Sequence, residues 1–244
     1  MKTLNKPKIL ILDIETRPAL VYTWGLHNVN IGVEQILDPG GVLCVGAKWA
    51  GAKEATVYTS WEMGQRPMLA TIHALISEAD AVVSYNGVSF DLPRLNGEFV
   101  LHRLAPIPPL TNIDLLKVTR KMGFLSKKLS FVGPLLSVGK KISHEGFSLW
   151  SKVMEGDAKA RLKMIKYCKQ DVELTEKLYD RLRPYITNHP TLGEGAPGTA
   201  GVCGSCGGKH FQSRGYRRTK FYSTQRLQCQ TCGAWSTGTR KKIS

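Results

Sequence analysis

Apolar positions in the first half of the chain come in short, separated runs. "KILILD", "GGVLCVGAKWA" and "EATVYT" are apolar or alternating and bounded by polar or Gly-containing stretches, the pattern of three consecutive strands. "MLATIHALISEA" changes to the helical period, and "AVVSY" returns to a buried strand. A helix from about Leu92 to Leu104, a short strand at "LTNID", helical pieces through "LLKVTRKMG" and "LSFVGPLLSV", and a long helix from about Asp157 to Tyr185 follow. Three strands, then alternating helix and strand, predict an α/β fold: a mixed sheet flanked by helices.

The periodicity stops after "KLYDRLRPYI". "TNHPTLGEGAPGTAG" is rich in Pro, Gly and Thr and reads as a linker. It divides the chain into a main domain, 1–187, a linker, 188–200, and a small segment, 201–244. A length of 244 residues accommodates one full core and such a module.

Charge sharpens that division. Lys and Arg number 34 against 19 Asp and Glu, a formal +15. From Pro190 to Ser244 there are nine basic residues and one acid, Glu194. A field of this sign concentrates polyanions, and nucleic acid is the commonest of these in a cytoplasm. No apolar run approaches the roughly 20 residues of a membrane span, and the first apolar run is too short for a signal peptide. The expected location is cytoplasmic.

Three places hold acids where apolar structure ends. In "ILDIET", Asp13 and Glu15 are two apart and share a face if the strand continues through them. Like charges so close raise each other's pKa unless a cation intervenes, so a divalent metal site competes with a plain solvated strand end. In "SYNGVSFDLPRL", Asp91 opens a helix and is either its N-cap or an acid leaning over the strand end toward Asp13, with Asn86 and Phe90 at the pocket edge. In "YCKQDVELTEKLY", Tyr167 and Asp171 lie four apart on one helical face, as core and solvated residues or as a functional pair.

Together "LDIET", "YNGVSFDLPRL" and "YCKQD" resemble the three motifs of the DEDD 3'→5' exonucleases, a branch of the ribonuclease H-like superfamily that includes polymerase proofreading domains. The resemblance runs from about Lys8 to Tyr185. It implies a ribonuclease H-like fold and assigns Asp13, Glu15, Asp91 and Asp171 as the catalytic acids. The family divides by a His five positions, or a Tyr four positions, before the last Asp. Here those positions hold Lys166 and Tyr167, so the chain resembles the tyrosine type, DEDDy. The implied cofactors are two Mg²⁺ or Mn²⁺ ions held by the four acids, with Tyr167 orienting the attacking water. The implied partner is nucleic acid, as single-stranded DNA or 3' ends, with a replication or recombination protein as a further candidate. The compact layout resembles small bacteriophage or bacterial exonucleases.

Other residues in this part have plainer readings. Asp114, at a strand end in "NIDLL", is expected to be structural or to support the acids, and His144 to be a loop residue. Lys127, Lys128, Lys140 and Lys141 either line a substrate path or form a solvated face.

The last segment carries its own signal. "CGSC" (Cys203, Cys206) and "CQTC" (Cys229, Cys232) are two Cys-x2-Cys knuckles 22 residues apart. Four thiolates so spaced suit one structural Zn²⁺ and resemble a zinc ribbon; two disulfides are the competing reading, disfavoured in a cytoplasm. His210 is expected on the surface, and Cys44 and Cys168 as buried thiols. Between the knuckles Arg214, Arg217, Arg218, Lys220 and Arg226 interleave with Tyr216, Phe221 and Tyr222, a mixture that suits nucleic acid. About half of those aromatics are expected to fill the ribbon's own small core.

The expected activity is hydrolysis of DNA to nucleoside 5'-monophosphates by a metal-dependent 3'→5' exonuclease. An exoribonuclease and a non-catalytic zinc-ribbon adaptor are the two alternatives.

Overall fold

The strand β1 (Ile9–Arg17) runs through the middle of the molecule and serves two cores at once. Ile9 and Ile11 pack on one face with Val172, Leu174 and Leu178, while Leu10, Leu12 and Ile14 pack on the other with Met68, Leu69 and Ile72. Burial on both faces explains why its sequence begins as a continuous apolar run. The computed structural model describes residues 7–143, 145–191 and 201–243.

After a small hairpin, β2 (Leu20–Val21) and β3 (Ile36–Asp38), β4 (Gly41–Trp49) returns antiparallel to β1, and β5 (Thr56–Thr59) pairs antiparallel with β4. Arg17 ties the hairpin's end to the sheet through Asp38, at 2.5 Å, and the Gly40 carbonyl, at 3.0 Å. The helices α1 (Ser60–Met63) and α2 (Gln65–Glu78) then lead to β6 (Ala81–Ser84), and α3 (Asp91–Leu101) to β7 (Thr111–Asp114). β6 pairs parallel with β1 and β7 parallel with β6, giving the mixed order β5-β4-β1-β6-β7. The expected mixed sheet flanked by helices is therefore present.

Among the described residues four helices follow: α4 (Leu115–Arg120), α5 (Leu129–Leu135), α6 (Phe147–Met154) and α7 (Ala158–Leu182). The last is capped by Asp157, whose carboxylate accepts from the Ala160 amide at 2.7 Å. Met164, Tyr167, Cys168, Asp171, Leu174, Leu178 and Leu182 form its buried stripe at helical spacing. Its packing on the sheet depends on Gly46 in β4, which lies directly across from Asp13. A Cβ at Gly46 would stand 2.6 Å from Val172 Cγ2 and 3.0 Å from Cys168 Sγ, so only glycine lets α7 come this close.

The differences from the sequence reading are local. The helix expected to reach Leu104 stops at Leu101, and Arg103 takes a positive φ of 56°. The long helix tightens to a 3-10 turn over Arg183–Tyr185, where Pro184 removes an amide donor. The start of the expected linker is anchored: the His189 ring stacks on Tyr179, centroids 5.6 Å apart, and Asn188 donates to the Asn112 carbonyl. Residues 192–200 of that linker, and His144, lie outside the described residues.

The C-terminal segment forms a separate antiparallel sheet of β8 (Phe211–Arg218), β9 (Tyr222–Cys229) and β10 (Trp235–Lys242), with β9 central. Among the described residues no helix is long and apolar enough to cross a membrane.

Candidate active site

β1 keeps its strand conformation to Arg17, so Asp13 and Glu15 continue the face that Ile9 and Ile11 begin. That face looks onto α7, whose buried stripe presents Asp171. Carboxylate oxygens of Asp13, Glu15 and Asp171 all lie within 4.8 Å of one another. The clustering thus follows from two periodicities, 2.0 along β1 and 3.6 along α7, brought together by the close approach at Gly46.

Asp91 comes beside Asp13 by another route and stays outside the set of three acids whose oxygens lie within 4.8 Å. It occupies the first turn of α3, where Phe90 is the N-cap residue, so Asp91 is not the cap. Its Oδ1 instead accepts from the Ile14 amide at 3.1 Å. β6 ends at Ser84, and in the parallel register it no longer flanks β1 at Ile14, so the Asp91 side chain satisfies an amide that the sheet leaves without a strand partner. The turn between them admits only glycine at 87: a Cβ there would meet Ser84 Oγ at 2.1 Å and Asp91 Oδ2 at 3.3 Å. Asp114 pins this region as well, accepting from the Asn86 amide at 2.9 Å and the Leu116 amide at 3.0 Å. It caps α4 and fixes the Asn86 turn.

The electrostatics follow from this crowding. Burial, followed by the charges of Asp91, Glu15 and Asp171, raises Asp13 well above the usual carboxylate range. Burial and then Asp171 push Glu15 up to about 8, and burial pushes Asp91 up to about 7 against the pull of the Ile14 hydrogen bond. Lys141 supplies the opposing cation. Its ammonium lies 2.6 Å from Asp171 Oδ2 and 3.1 Å from the Tyr167 hydroxyl. Burial pulls the Lys141 pKa down, but Asp171 and Tyr167 together outweigh it and hold the amine above its ordinary value. Tyr167 is raised in turn, first by burial and then by Asp171, so its hydroxyl keeps its proton at neutral pH. A set of carboxylate oxygens with one ammonium against four acids fits hard divalent cations.

Lys141 is the residue that sequence reasoning placed least well. Its group does not act as one cluster: Lys127 and Lys128 line a cleft of about 530 Å³ with Tyr85, Asn86 and Arg120, while Lys141 points at Asp171. Only the tertiary fold brings it to an acid 30 positions away. A larger cavity, about 640 Å³, opens at the opposite end of β1 between Ile9, Trp49 and Tyr179 and takes in none of the clustered acids. Cys44 and Cys168 are fully buried, as ordinary core thiols.

The profile of the RNase H superfamily matches residues 10–183. The chain belongs to that superfamily. As an RNase H-like protein its fold is similar to that of the family B DNA polymerase from the hyperthermophilic archaeon Pyrobaculum calidifontis, with a TM-score of 0.55 and 17% identity. The similarity covers 74% of this chain and 25% of the polymerase, so the chain spans about a quarter of that protein's length. No curated protein sequence matches it.

The RNase H-like match stops before the four cysteines. Cys203 Sγ and Cys232 Sγ are 3.7 Å apart, as are Cys206 Sγ and Cys229 Sγ, and all four sulfurs lie within 4.8 Å of one another. A tetrahedron with Zn–S bonds of about 2.3 Å has edges of about 3.8 Å. A disulfide needs about 2.05 Å, so the spacing fits zinc and not two bridges. Both knuckles use the same turn: Cys203 N donates to Gly208 O and Gly207 N to Cys203 O, matched by Cys229 N to Ala234 O and Gly233 N to Cys229 O. His210 is exposed and outside this cluster.

The ribbon's aromatics differ from expectation. Among the described residues only Phe211 packs against the cysteines, while Tyr216, Phe221 and Trp235 are more than half exposed. A single three-stranded layer with four sulfurs at one end has no second layer to receive them. The candidate cations separate too: Arg214, Arg217 and Arg226 share one sheet face, Arg218 projects to the other, and Lys220 sits in the β8–β9 turn.

Proposed function

We propose that this chain is a metal-dependent 3'→5' exonuclease that releases nucleoside 5'-monophosphates from single-stranded DNA or DNA 3' ends. The observation that carries the reading is the convergence of Asp13, Glu15 and Asp171 oxygens within 4.8 Å, with Asp91 hydrogen-bonded to the backbone between the first two. A scaffold has no use for buried carboxylates that repel one another.

In this reading Asp13, Glu15, Asp91 and Asp171 hold two Mg²⁺ or Mn²⁺ ions. When bound, such ions supply activation of the attacking water and neutralisation of charge at the leaving 3'-oxygen. The protein's own groups do the positioning. Tyr167, kept protonated, is a poor base and orients the water by hydrogen bonding. Lys141 fixes the Tyr167 hydroxyl and Asp171 relative to each other. The four ribbon cysteines hold one structural Zn²⁺, and the basic ribbon retains nucleic acid for the nuclease domain. DNA is preferred to RNA here because the similar solved structure is a DNA polymerase.

Equal-length DNA and RNA single strands, incubated with protein and Mg²⁺ beside an Asp13→Ala control, test this reading. DNA is expected to be degraded faster, and only with Asp13 in place. Faster loss of RNA would replace the substrate, and cleavage that survives the substitution would remove the site.

A further inference from the structure

The ribbon sheet sorts its cations by face. In antiparallel pairing, residues directly opposite project to the same side, and the side alternates along each strand. Starting from Arg226 in β9, its face includes Tyr222, Thr224 and Gln228. The register adds Trp235, opposite Gln228, then Arg240 opposite Thr224 and Lys242 opposite Tyr222. From β8 it adds Arg217, opposite Thr224. A bulge between Ser213 and Tyr216 places Arg214 on this side too, where its Nε donates to Gln228 Oε1 at 3.0 Å. The opposite face carries Phe211, Leu227 and Cys229 toward the knuckles, and only Arg218 and Lys241 as cations.

Five cations therefore lie on one side and two on the other. From Gly201 to Ser244 the sequence has no Asp or Glu to offset them. The aromatic partners divide in the same way. Arg226 lies 5.8 Å from the Trp235 ring, and Arg240 stacks on Tyr222 at 3.7 Å, both on the five-cation face. Contact with the Tyr222 ring restrains the Arg240 guanidinium, which leaves it less rotamer freedom to lose on meeting a phosphate. Trp235 is 57% exposed and leaves ring surface open.

Resting on the reading that this chain acts on nucleic acid, we propose that the face bearing Arg217, Arg226, Arg240 and Trp235 is a binding surface for single-stranded nucleic acid. Phosphates lie on the guanidinium groups and an unpaired base stacks on Trp235. An open sheet face with an exposed indole suits a strand whose base faces are free. A duplex keeps those faces stacked and offers the indole nothing. An acidic protein would meet the charges but gain nothing specific from the ring.

The test uses the full chain with Asp171→Ala, so that labelled oligo-dT remains intact while binding is followed by fluorescence anisotropy. Two charge-equivalent pairs are compared: Arg217→Glu with Arg240→Glu, and Arg218→Glu with Lys241→Glu. Both change the net charge equally, so a purely long-range effect moves them together. The first pair is expected to weaken binding about 100-fold and the second less than about 10-fold. The milder Arg217→Gln with Arg240→Gln keeps the order with a smaller loss, and unchanged zinc content shows that each ribbon is folded.

Trp235→Ala is expected to weaken oligo-dT binding about 10-fold and to leave heparin, a polyanion without bases, unaffected. Equal weakening by the two pairs, equal competition by duplex of the same length, or an inert Trp235→Ala would each overturn the proposal. These results are independent of hydrolysis by the unsubstituted chain, whose absence would instead remove the exonuclease reading.

Discussion

Lys141 Nζ lies 2.6 Å from Asp171 Oδ2 and 3.1 Å from the Tyr167 hydroxyl, and so links the two α7 residues to the loop before α6. An ammonium there pairs with Asp171 and holds the tyrosine in one orientation. Lys141→Met, which keeps most of the aliphatic stem, is expected to lower kcat about 10–100-fold, as loss of groups that orient metal ligands does, with KM little changed. Single-turnover and steady-state kinetics check this. A rise in KM alone would make Lys141 an ordinary phosphate contact.

Gly46 sets the distance between the sheet and α7. Gly46→Ala inserts a methyl 2.6 Å from Val172 Cγ2 and is expected to cost about 1–3 kcal/mol while moving Asp171 away from Asp13. Adding Val172→Ala makes room, so the double variant should regain activity relative to Gly46→Ala alone. Chemical denaturation together with nuclease assays reads both effects. Additive losses would show that the contact is not the cause.

Glu15 and Asp91, at about 8 and about 7, keep protons in the metal-free fold that the unfolded chain gives up near pH 4. The folded state then binds more protons than the unfolded state between about pH 4 and 8, so these groups lower stability as pH rises through that window. Divalent cations bind the deprotonated acids and reverse the penalty. The gain in Tm on adding Mg²⁺ is therefore expected to be larger at pH 8 than at pH 5.5, and to vanish in Asp13→Asn with Glu15→Gln. A gain that shrinks as pH rises would contradict the site.

The knuckles predict one zinc per chain by native mass spectrometry. Cys206→Ser, or removal of residues from Gly201 onward, is expected to weaken DNA binding and flatten its salt dependence while short oligonucleotides are still hydrolysed. Full activity of the truncated chain at low enzyme concentration would show that the ribbon has no part in holding substrate.

Much of this was legible in the sequence, for identifiable reasons. β1 and β4 announce themselves as apolar runs buried on both faces and α7 by its regular buried stripe, and the cysteine spacing fixes the ribbon's sulfur cluster. Asp13 and Glu15 could be paired from strand periodicity alone. Asp91 was ambiguous, since the choice between cap and strand-end acid depends on where β6 stops relative to Ile14, which is a matter of register. Lys141 and Gly46 were hidden because each acts through a contact made only on folding. The ribbon's cations could be counted, but their division between two faces depends on the bulge near Gly215 and the pairing of β10.

Asp13→Ala is expected to abolish hydrolysis while leaving DNA binding largely intact, because the ribbon's charge does not depend on that acid. Filter binding beside a nuclease assay reads both. Parallel loss of the two would undo the division of labour between nuclease domain and ribbon.

The most direct measurement is digestion of single-stranded DNA labelled at its 5' end, with Mg²⁺, resolved at single-nucleotide steps beside Asp171→Ala. The account predicts a ladder that descends one nucleotide at a time and is absent in the variant. Internal fragments would keep the metal site and contradict the exonuclease reading, and tight binding without cleavage would make the chain a nucleic-acid adaptor.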